Sequence, residues 1–162
     1  MTHSLPAQQM RRRQSGIGMI EVLIAILVVS IGFLGMAALQ AKALSTNNSA
    51  MARSMATVAS YSILDAMRAD VVNARLGAYN GTVTAGAANC PTVGTTLASA
   101  QLNTWCVELG NALGAVATTT GTINCSVVGD CVITIQFDDS RAGTLNTSVG
   151  SSAQQIVTRA GL

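Results

Sequence analysis

The spacing of hydrophobic residues changes along the chain. Residues 17–39 form an apolar run of 23 residues with one ionisable side chain, Glu21. Residues 40–76 contain neither Gly nor Pro, and their large apolar side chains recur at spacings of three, four or seven. This periodicity predicts that an amphipathic helix continues the apolar run. Beyond residue 120 the period becomes two, which indicates strands, so the pattern predicts an α+β protein.

The apolar positions after residue 40 predict which side of the long helix faces a core. They are Leu44, Met51, Met55, Val58, Tyr61, Leu64, Met67 and Val71. Because residues at these spacings share one side of a helix, we expect that side to pack on the following domain. Gly77 is the predicted end of the helix.

Residues 77–162 are predicted to form a C-terminal globular region. Its elements are a Gly- and Thr-rich loop over 77–96, a helix over 97–113, a hairpin over 121–138 and an edge strand over 154–158. Trp105 lies on the apolar side of the predicted helix, and Gly114 ends it.

Four cysteines, Cys90, Cys106, Cys125 and Cys131, follow the apolar run. With His3 as the only imidazole, a structural zinc site is disfavoured. Two disulfides, and hence an oxidising compartment, are the favoured interpretation, with four free thiols as the alternative. Three pairings exist. The predicted hairpin places Cys125 opposite Cys131, about 4.5–5.5 Å apart, so the pairing of Cys125 with Cys131 and of Cys90 with Cys106 is the favoured one of the three.

The apolar run is predicted to span a membrane. As a helix its 23 residues extend roughly 34 Å, enough for a hydrocarbon core of about 30 Å. Arg11–Arg13 precede it, so the positive-inside rule places residues 1–16 in the cytoplasm and the rest across the inner membrane. Cleavage after "AKA" (41–43) is one processing scheme. Cleavage between Gly16 and Ile17 is favoured because the helical pattern continues through residues 41–43.

The segment "GIGMIE", residues 16–21, resembles the prepilin motif of the type IV prepilin family. The resemblance implies that a leader peptidase removes residues 1–16, that the new N-terminus at Ile17 is methylated, and that Glu21 becomes the fifth residue. Ile17 replaces the usual phenylalanine, and Gly18 a commoner Thr or Ser. The long helix also lacks the proline that major pilins typically carry there.

Further segments resemble the PilV-type minor pilins, the type IV pilus modification proteins. They are "IEVLIAILVVSIGFLGMAALQ", "ASYSILDAMRAD", "GAYN", "LNTWCVELGNALG" and "VITIQFDDSR". The resemblance implies a type IV pilin-like fold, in which the long helix packs on a small disulfide-stapled domain. It also implies an inner-membrane minor pilin that primes pilus assembly and then reaches the cell surface. Its implied partners are prepilin peptidase, other minor pilins, the major pilin and the assembly platform.

Glu21 has a physical explanation within this interpretation. A carboxylate at mid-membrane costs about 2.5 kcal/mol or more on insertion scales, so it is retained where it finds a partner. Cleavage would create an ammonium group on Ile17, roughly 6 Å away along the helix axis. On a neighbouring helix the two groups could touch, so Glu21 is the predicted assembly residue. A glutamate that only reaches the lipid headgroups is the alternative.

Small residues in the apolar run predict close helix packing. Gly18, Ala25 and Gly32 recur every seven residues, and Gly35 lies three beyond Gly32. Small residues let helices approach closely where lipid provides no hydrophobic drive. Glycines tolerated in a lone anchor are the alternative.

Composition argues against several other functions. The net charge of +2 becomes −1 without Arg11–Arg13, and aromatic residues make up 3%, so nucleic-acid binding is disfavoured. No nucleophile–base motif, phosphate loop or metal-ligand cluster is evident, and Asp138 and Asp139 are predicted to end a strand. We therefore expect no enzyme, cofactor or metal. The alternatives are a minor pseudopilin of a type II secretion system and a pilus-tip adhesin or DNA-binding module.

Overall fold

The computed structural model describes residues 16, 18–86, 88–140 and 150–162. Arg11–Arg13 and Ile17 lie outside the described residues. Two compact units divide the chain, one ending at Gln40 and the other comprising Ala41–Leu162. In the first unit every described residue is exposed, and the backbone is helical from Met19 onward.

The secondary structure confirms the α+β prediction. The helices are α1 (Met19–Ala69), α2 (Val71–Arg75) and α3 (Leu97–Leu113), and the strands are β1 (Gly81–Thr84), β2 (Thr120–Cys125), β3 (Asp130–Phe137) and β4 (Gln154–Gly161). The four strands form one antiparallel sheet in the order β1-β2-β3-β4. A long apolar helix, a small sheet and two disulfides are the features expected of a pilin-like fold.

The prediction of one unbroken helix as far as residue 76 is wrong. α1 ends at Ala69, and Asp70 takes a non-helical conformation with φ −131° and ψ 48° before α2 begins. The Asp70 carboxylate accepts hydrogen bonds from Asn73 Nδ2 at 2.7 Å and from the Tyr79 hydroxyl at 3.3 Å. Aspartate competes with helical backbone bonding in this way, which explains a break that periodicity does not reveal.

The prediction that residues 77–96 form only a loop is also wrong, because they contain β1. This strand of four residues pairs with β2, and Val83 points into the core. Just before it, Asn80 accepts a hydrogen bond from Cys125 N at 2.7 Å and donates one to the Cys125 carbonyl at 3.0 Å. A strand this short shows no clear period, so its existence depends on its partner.

The side of α1 that faces the core differs from the predicted one. The buried residues are Ser49, Ala56, Ala59, Ser60, Ile63, Leu64 and Met67. Of the predicted set, Leu64 and Met67 are buried. The exposed members include Leu44 (63%), Met51 (58%), Met55 (37%), Val58 (56%) and Tyr61 (53%). We call these five residues the outer strip.

Trp105 explains why small residues face the core. It is buried in α3, and its indole Nε1 donates a hydrogen bond to the Ala59 carbonyl of α1 at 2.9 Å. This contact with the backbone requires short side chains on α1, and Ala56, Ala59 and Ser60 supply them. Packing against Trp105 therefore buries the small residues of α1 and leaves the larger apolar residues of the outer strip exposed.

α3 occupies the residues expected of it. Thr96 caps its N-terminus by accepting a hydrogen bond from Ser99 N at 3.2 Å, and Gly114 follows with φ 103°. On the sheet, Gly121 lies against this helix. A Cβ added to Gly121 would lie 2.8 Å from Leu109 Cδ1 and would also overlap the Trp105 ring. Gly121 therefore allows α3 to approach β2 closely.

The hairpin pairs Cys125 with Cys131 and Ile123 with Ile133, which is the predicted register. Disulfides join Cys125 to Cys131, with a Cα–Cα distance of 4.0 Å, and Cys90 to Cys106, with a distance of 5.6 Å. The first closes the hairpin loop, and the second ties the segment after β1 to α3. β4 runs to Gly161, beyond the predicted 154–158, and pairs along the whole of β3.

A partly buried ion pair connects α1 to the end of the sheet. Asp139, 7% exposed, accepts a hydrogen bond from the Ser49 hydroxyl and lies 3.5 Å from Arg53 Nη2. The same Arg53 nitrogen donates to Gln154 Oε1 at 3.2 Å. Asp138 accepts a hydrogen bond from Ser140 N at 2.9 Å, so a turn follows β3. These contacts hold α1 against the point where β3 ends and β4 begins.

The buried phenol of Tyr79 predicts a loss of stability at alkaline pH. Burial, then the charge of Asp70 and the hydrogen bond to it, raises the pKa of Tyr79 from 10.0 to about 12. The folded state therefore holds this proton more tightly than the unfolded chain. Its contribution is complete below pH 10.0 and is lost as pH rises toward about 12, a fall of roughly 3 kcal/mol. Urea unfolding of the full chain in detergent, followed by circular dichroism, measures this fall.

Two variants isolate the effect. Tyr79→Phe should abolish most of the alkaline fall, because it removes the titrating hydroxyl, whereas Tyr61→Phe at an exposed position should leave it unchanged. An unaltered fall in Tyr79→Phe would show that another group is responsible.

Candidate functional site

The start of α1 is the candidate processing and assembly site. Gly16 is exposed and precedes the helix, and the Gly18 carbonyl accepts hydrogen bonds from Glu21 N at 2.9 Å and Val22 N at 3.4 Å. The first helical turn therefore closes on Gly18. Ile17 lies outside the described residues, so only the Gly16 side of the predicted cleavage bond is described.

Glu21 is the third residue of α1. The first backbone N–H groups of a helix have no partner within the helix, and its dipole is positive there, so a carboxylate in this turn stabilises the helix start. Glu21 is also exposed. Among the residues that the structure describes, no lysine or arginine forms an ion pair with it. Its carboxylate can therefore receive a cationic group from outside the described part of the chain.

The small residues of α1 have no packing role within the described part of the chain. A Cβ added at Gly32 or Gly35 would meet no atom within 4 Å beyond the helix's own backbone, and one at Gly18 would meet only Ile20 Cγ2 at 3.8 Å. Ala25 is exposed. Gly32 and Gly35 each cost about 1 kcal/mol of helix stability relative to Ala, and no packing within the described residues offsets this cost. Close approach of another helix stays a prediction.

The outer strip is a second exposed apolar surface on α1. The periodicity of the sequence predicts that these residues face the core, and the structure places them in solvent. From Leu44 to Tyr61 it extends over 18 residues, roughly 26 Å of helix. Two methionines in it are flexible enough to fit partner surfaces of different shape. The signal in the sequence was the apolar spacing itself, but spacing alone does not say whether the partner is this domain or another chain.

The two predicted disulfides are formed, and they belong to a different unit from the predicted assembly residue Glu21. Cys90, Cys106, Cys125 and Cys131 belong to the unit Ala41–Leu162, and Glu21 to the unit that ends at Gln40. The disulfides act by stabilising the globular fold. Cys90–Cys106 closes a loop with a sequence separation of 16, and Cys125–Cys131 one of 6. The lower entropy of the cross-linked unfolded chain then stabilises the fold by roughly 3 and 2 kcal/mol, respectively.

Comparison with known protein families finds a match at the start of the chain. Residues 11–37 match the model of the prokaryotic N-terminal methylation motif. This range contains the predicted cleavage site, Glu21 and all four small residues, Gly18, Ala25, Gly32 and Gly35. No curated protein and no solved structure matches the chain.

The match supports a type IV pilin-like or pseudopilin-like protein, with a structural rather than an enzymatic role. α1 is long and apolar enough to cross a membrane by length and composition. The motif and this helix together fit a membrane-anchored protein that prepilin peptidase processes.

Bulk added at Gly32 tests whether this side of α1 packs on a partner. Gly32→Leu raises intrinsic helix propensity and meets nothing within the chain, so a defect would originate outside it. Under the prediction that this side of α1 packs on the helices of a surface filament, we expect the fraction of the chain recovered in sheared filaments, relative to the membrane fraction, to fall severalfold. Quantitative immunoblotting measures this ratio.

Ala37→Leu is the matched control, because it adds the same exposed side chain about 140° around the helix. Its filament fraction should stay close to that of the unaltered chain. Equal fractions for the two variants would contradict close packing at Gly32.

Proposed function

We propose that this protein is a PilV-type minor pilin of a type IV pilus. It is inserted in the inner membrane with its N-terminus in the cytoplasm, cleaved by prepilin peptidase after Gly16 and methylated on Ile17. It then joins other minor pilins in a complex that primes assembly of the major pilin on the inner-membrane platform. From there it reaches the pilus at the cell surface, where adhesion, twitching motility and DNA uptake are downstream roles.

The exposed carboxylate of Glu21 is the observation that carries this proposal. It stands in the first turn of an apolar helix, within the segment that matches the methylation motif, and has no cationic partner among the described residues. Removal of residues 1–16 creates an ammonium group on Ile17. On the mature chain, or on a staggered neighbour, that group neutralises Glu21 in the low dielectric of the membrane. Removal of residues 1–16 thereby allows the helix to dock against the helices of other subunits.

The exposed surfaces of α1 support contacts with several subunits. Residues 18–40 are exposed in the first unit, and the outer strip is a separate exposed apolar surface in the second unit. An exposed apolar strip of this length is typical of an interaction surface. The disulfides support an oxidising compartment for the globular unit, in agreement with export across the inner membrane.

A minor pseudopilin of a type II secretion system is the second candidate, because the methylation motif and the apolar helix fit both systems. The resemblance of "LDAMRAD" and "WCVELGNALG" to the PilV type favours the pilus. A deletion strain separates the two candidates. Loss of twitching and surface filaments with normal enzyme secretion supports the pilus, and the reverse phenotype supports the pseudopilus.

Mass spectrometry of the mature N-terminus tests processing. The expected chain begins at N-methylated Ile17, and Gly16→Leu should remain full-length, because the motif implies a peptidase that accepts glycine at this position. A chain that begins at Leu44, after "AKA", would identify an ordinary secretory signal and overturn the pilin proposal.

Replacement of Glu21 tests charge pairing. Glu21→Gln keeps the size and removes the charge, so we expect cleavage close to normal and at least a tenfold loss of the chain from filaments, which corresponds to about 1.4 kcal/mol. Glu21→Asp is the control that keeps the charge, and it should retain more incorporation than Gln. Immunoblots of precursor, mature chain and filament fraction measure both steps. Normal incorporation of Glu21→Gln would refute the pairing.

A further inference from the structure

β4 forms an edge of the sheet, and no strand among the described residues pairs with its outer side. It has eight residues, so its free edge is about 26 Å long. A free edge exposes backbone N–H and C=O groups that can pair with another extended segment. Natural edges are commonly protected by proline, by several charges or by shortness. β4 contains no proline and a single charged residue, Arg159.

Alternation along β4 separates its two faces. Ile156 and Ala160 pack against the core, while Gln155, Val157 and Arg159 are exposed on the other face. Val157, 50% exposed, stands at the centre of these three. The exposed face of the strand is therefore apolar in the middle and polar on either side.

We propose that two copies of this chain associate by antiparallel pairing of β4 with β4. A two-fold axis at Val157 places Val157 opposite its counterpart and Arg159 opposite Gln155 of the other copy. No like charges face each other in this register, and Ile156 meets Thr158 on the inner face. Cross-strand pairs of this kind stabilise a sheet, whereas directly opposed like charges destabilise it.

The other edge of the sheet favours a closed pair over a growing fibre. β1 has four residues and begins with Gly81, so it provides half the edge that β4 provides. Head-to-tail pairing of β1 with β4 would leave much of β4 open. Isologous pairing of β4 uses its full length and closes the assembly at two copies. This inference is independent of the proposed pilus function, because β4 lies in the unit Ala41–Leu162.

Single cysteines test the register, because all four native cysteines are in disulfides. In the full-length chain in membranes, Val157→Cys should give a covalent dimer on mild oxidation, since opposed residues lie about 4.5–5.5 Å apart. Gln155→Cys and Arg159→Cys should each cross-link weakly alone and strongly when co-expressed. Thr82→Cys, exposed on β1, is the control and should stay monomeric.

Light scattering of the detergent-solubilised full chain tests pairing without cross-links. Val157→Lys should shift the dissociation constant upward at least tenfold, because two lysines would face each other, whereas Val157→Thr should keep the dimer. The same dimer in Glu21→Gln would show that pairing does not need the assembly helix. A monomeric unaltered chain, equal cross-linking at Thr82→Cys, or a cross-linked product containing a different protein would overturn the proposal.

Discussion

The indole of Trp105 lies between α1 and β2, where it donates a hydrogen bond to the Ala59 carbonyl and leaves no room for a side chain at Gly121. This contact determines how close α1, α3 and the sheet can be. Because a large ring fills the space, α1 must present short side chains, and Ala56 and Ser60 do so. Burial of the indole therefore favours a fold in which α1 turns its side of short residues, and not the outer strip, toward the core.

That choice leaves the outer strip in contact with solvent. Leucine, methionine, valine and tyrosine on a surface helix would lower stability little but promote association, since apolar area removed from water contributes roughly 25 cal/mol per Å². The globular unit is held by other means. One disulfide joins β2 to β3, the other ties the segment after β1 to α3, and the partly buried pair of Arg53 and Asp139 holds α1 to the end of the sheet. One side of α1 therefore serves the fold and the other is available to partners.

A different constraint governs the apolar half of α1. There a single carboxylate stands among side chains that favour lipid, and desolvation makes its charge costly unless a cation is near. Glycines along the same helix reduce its intrinsic stability but permit close helix contact. Both features are unfavourable in an isolated anchor, and the predicted assembly would offset their cost by supplying a cation and a closely packed helix. The match of residues 11–37 to the methylation motif is consistent with that interpretation.

Local chemistry in the sequence determined much of this protein. The helix 97–113, the hairpin register and the candidate assembly residues follow from periodicity, caps and spacing, because each depends on neighbours in the chain. Tertiary structure decided the rest. The break at Asp70 depends on Tyr79 nine residues later, β1 depends on β2 about forty residues away, and the buried face of α1 depends on Trp105. Helical spacing identifies an apolar side, but only the shape of the opposing surface determines whether that side or a smaller one is buried.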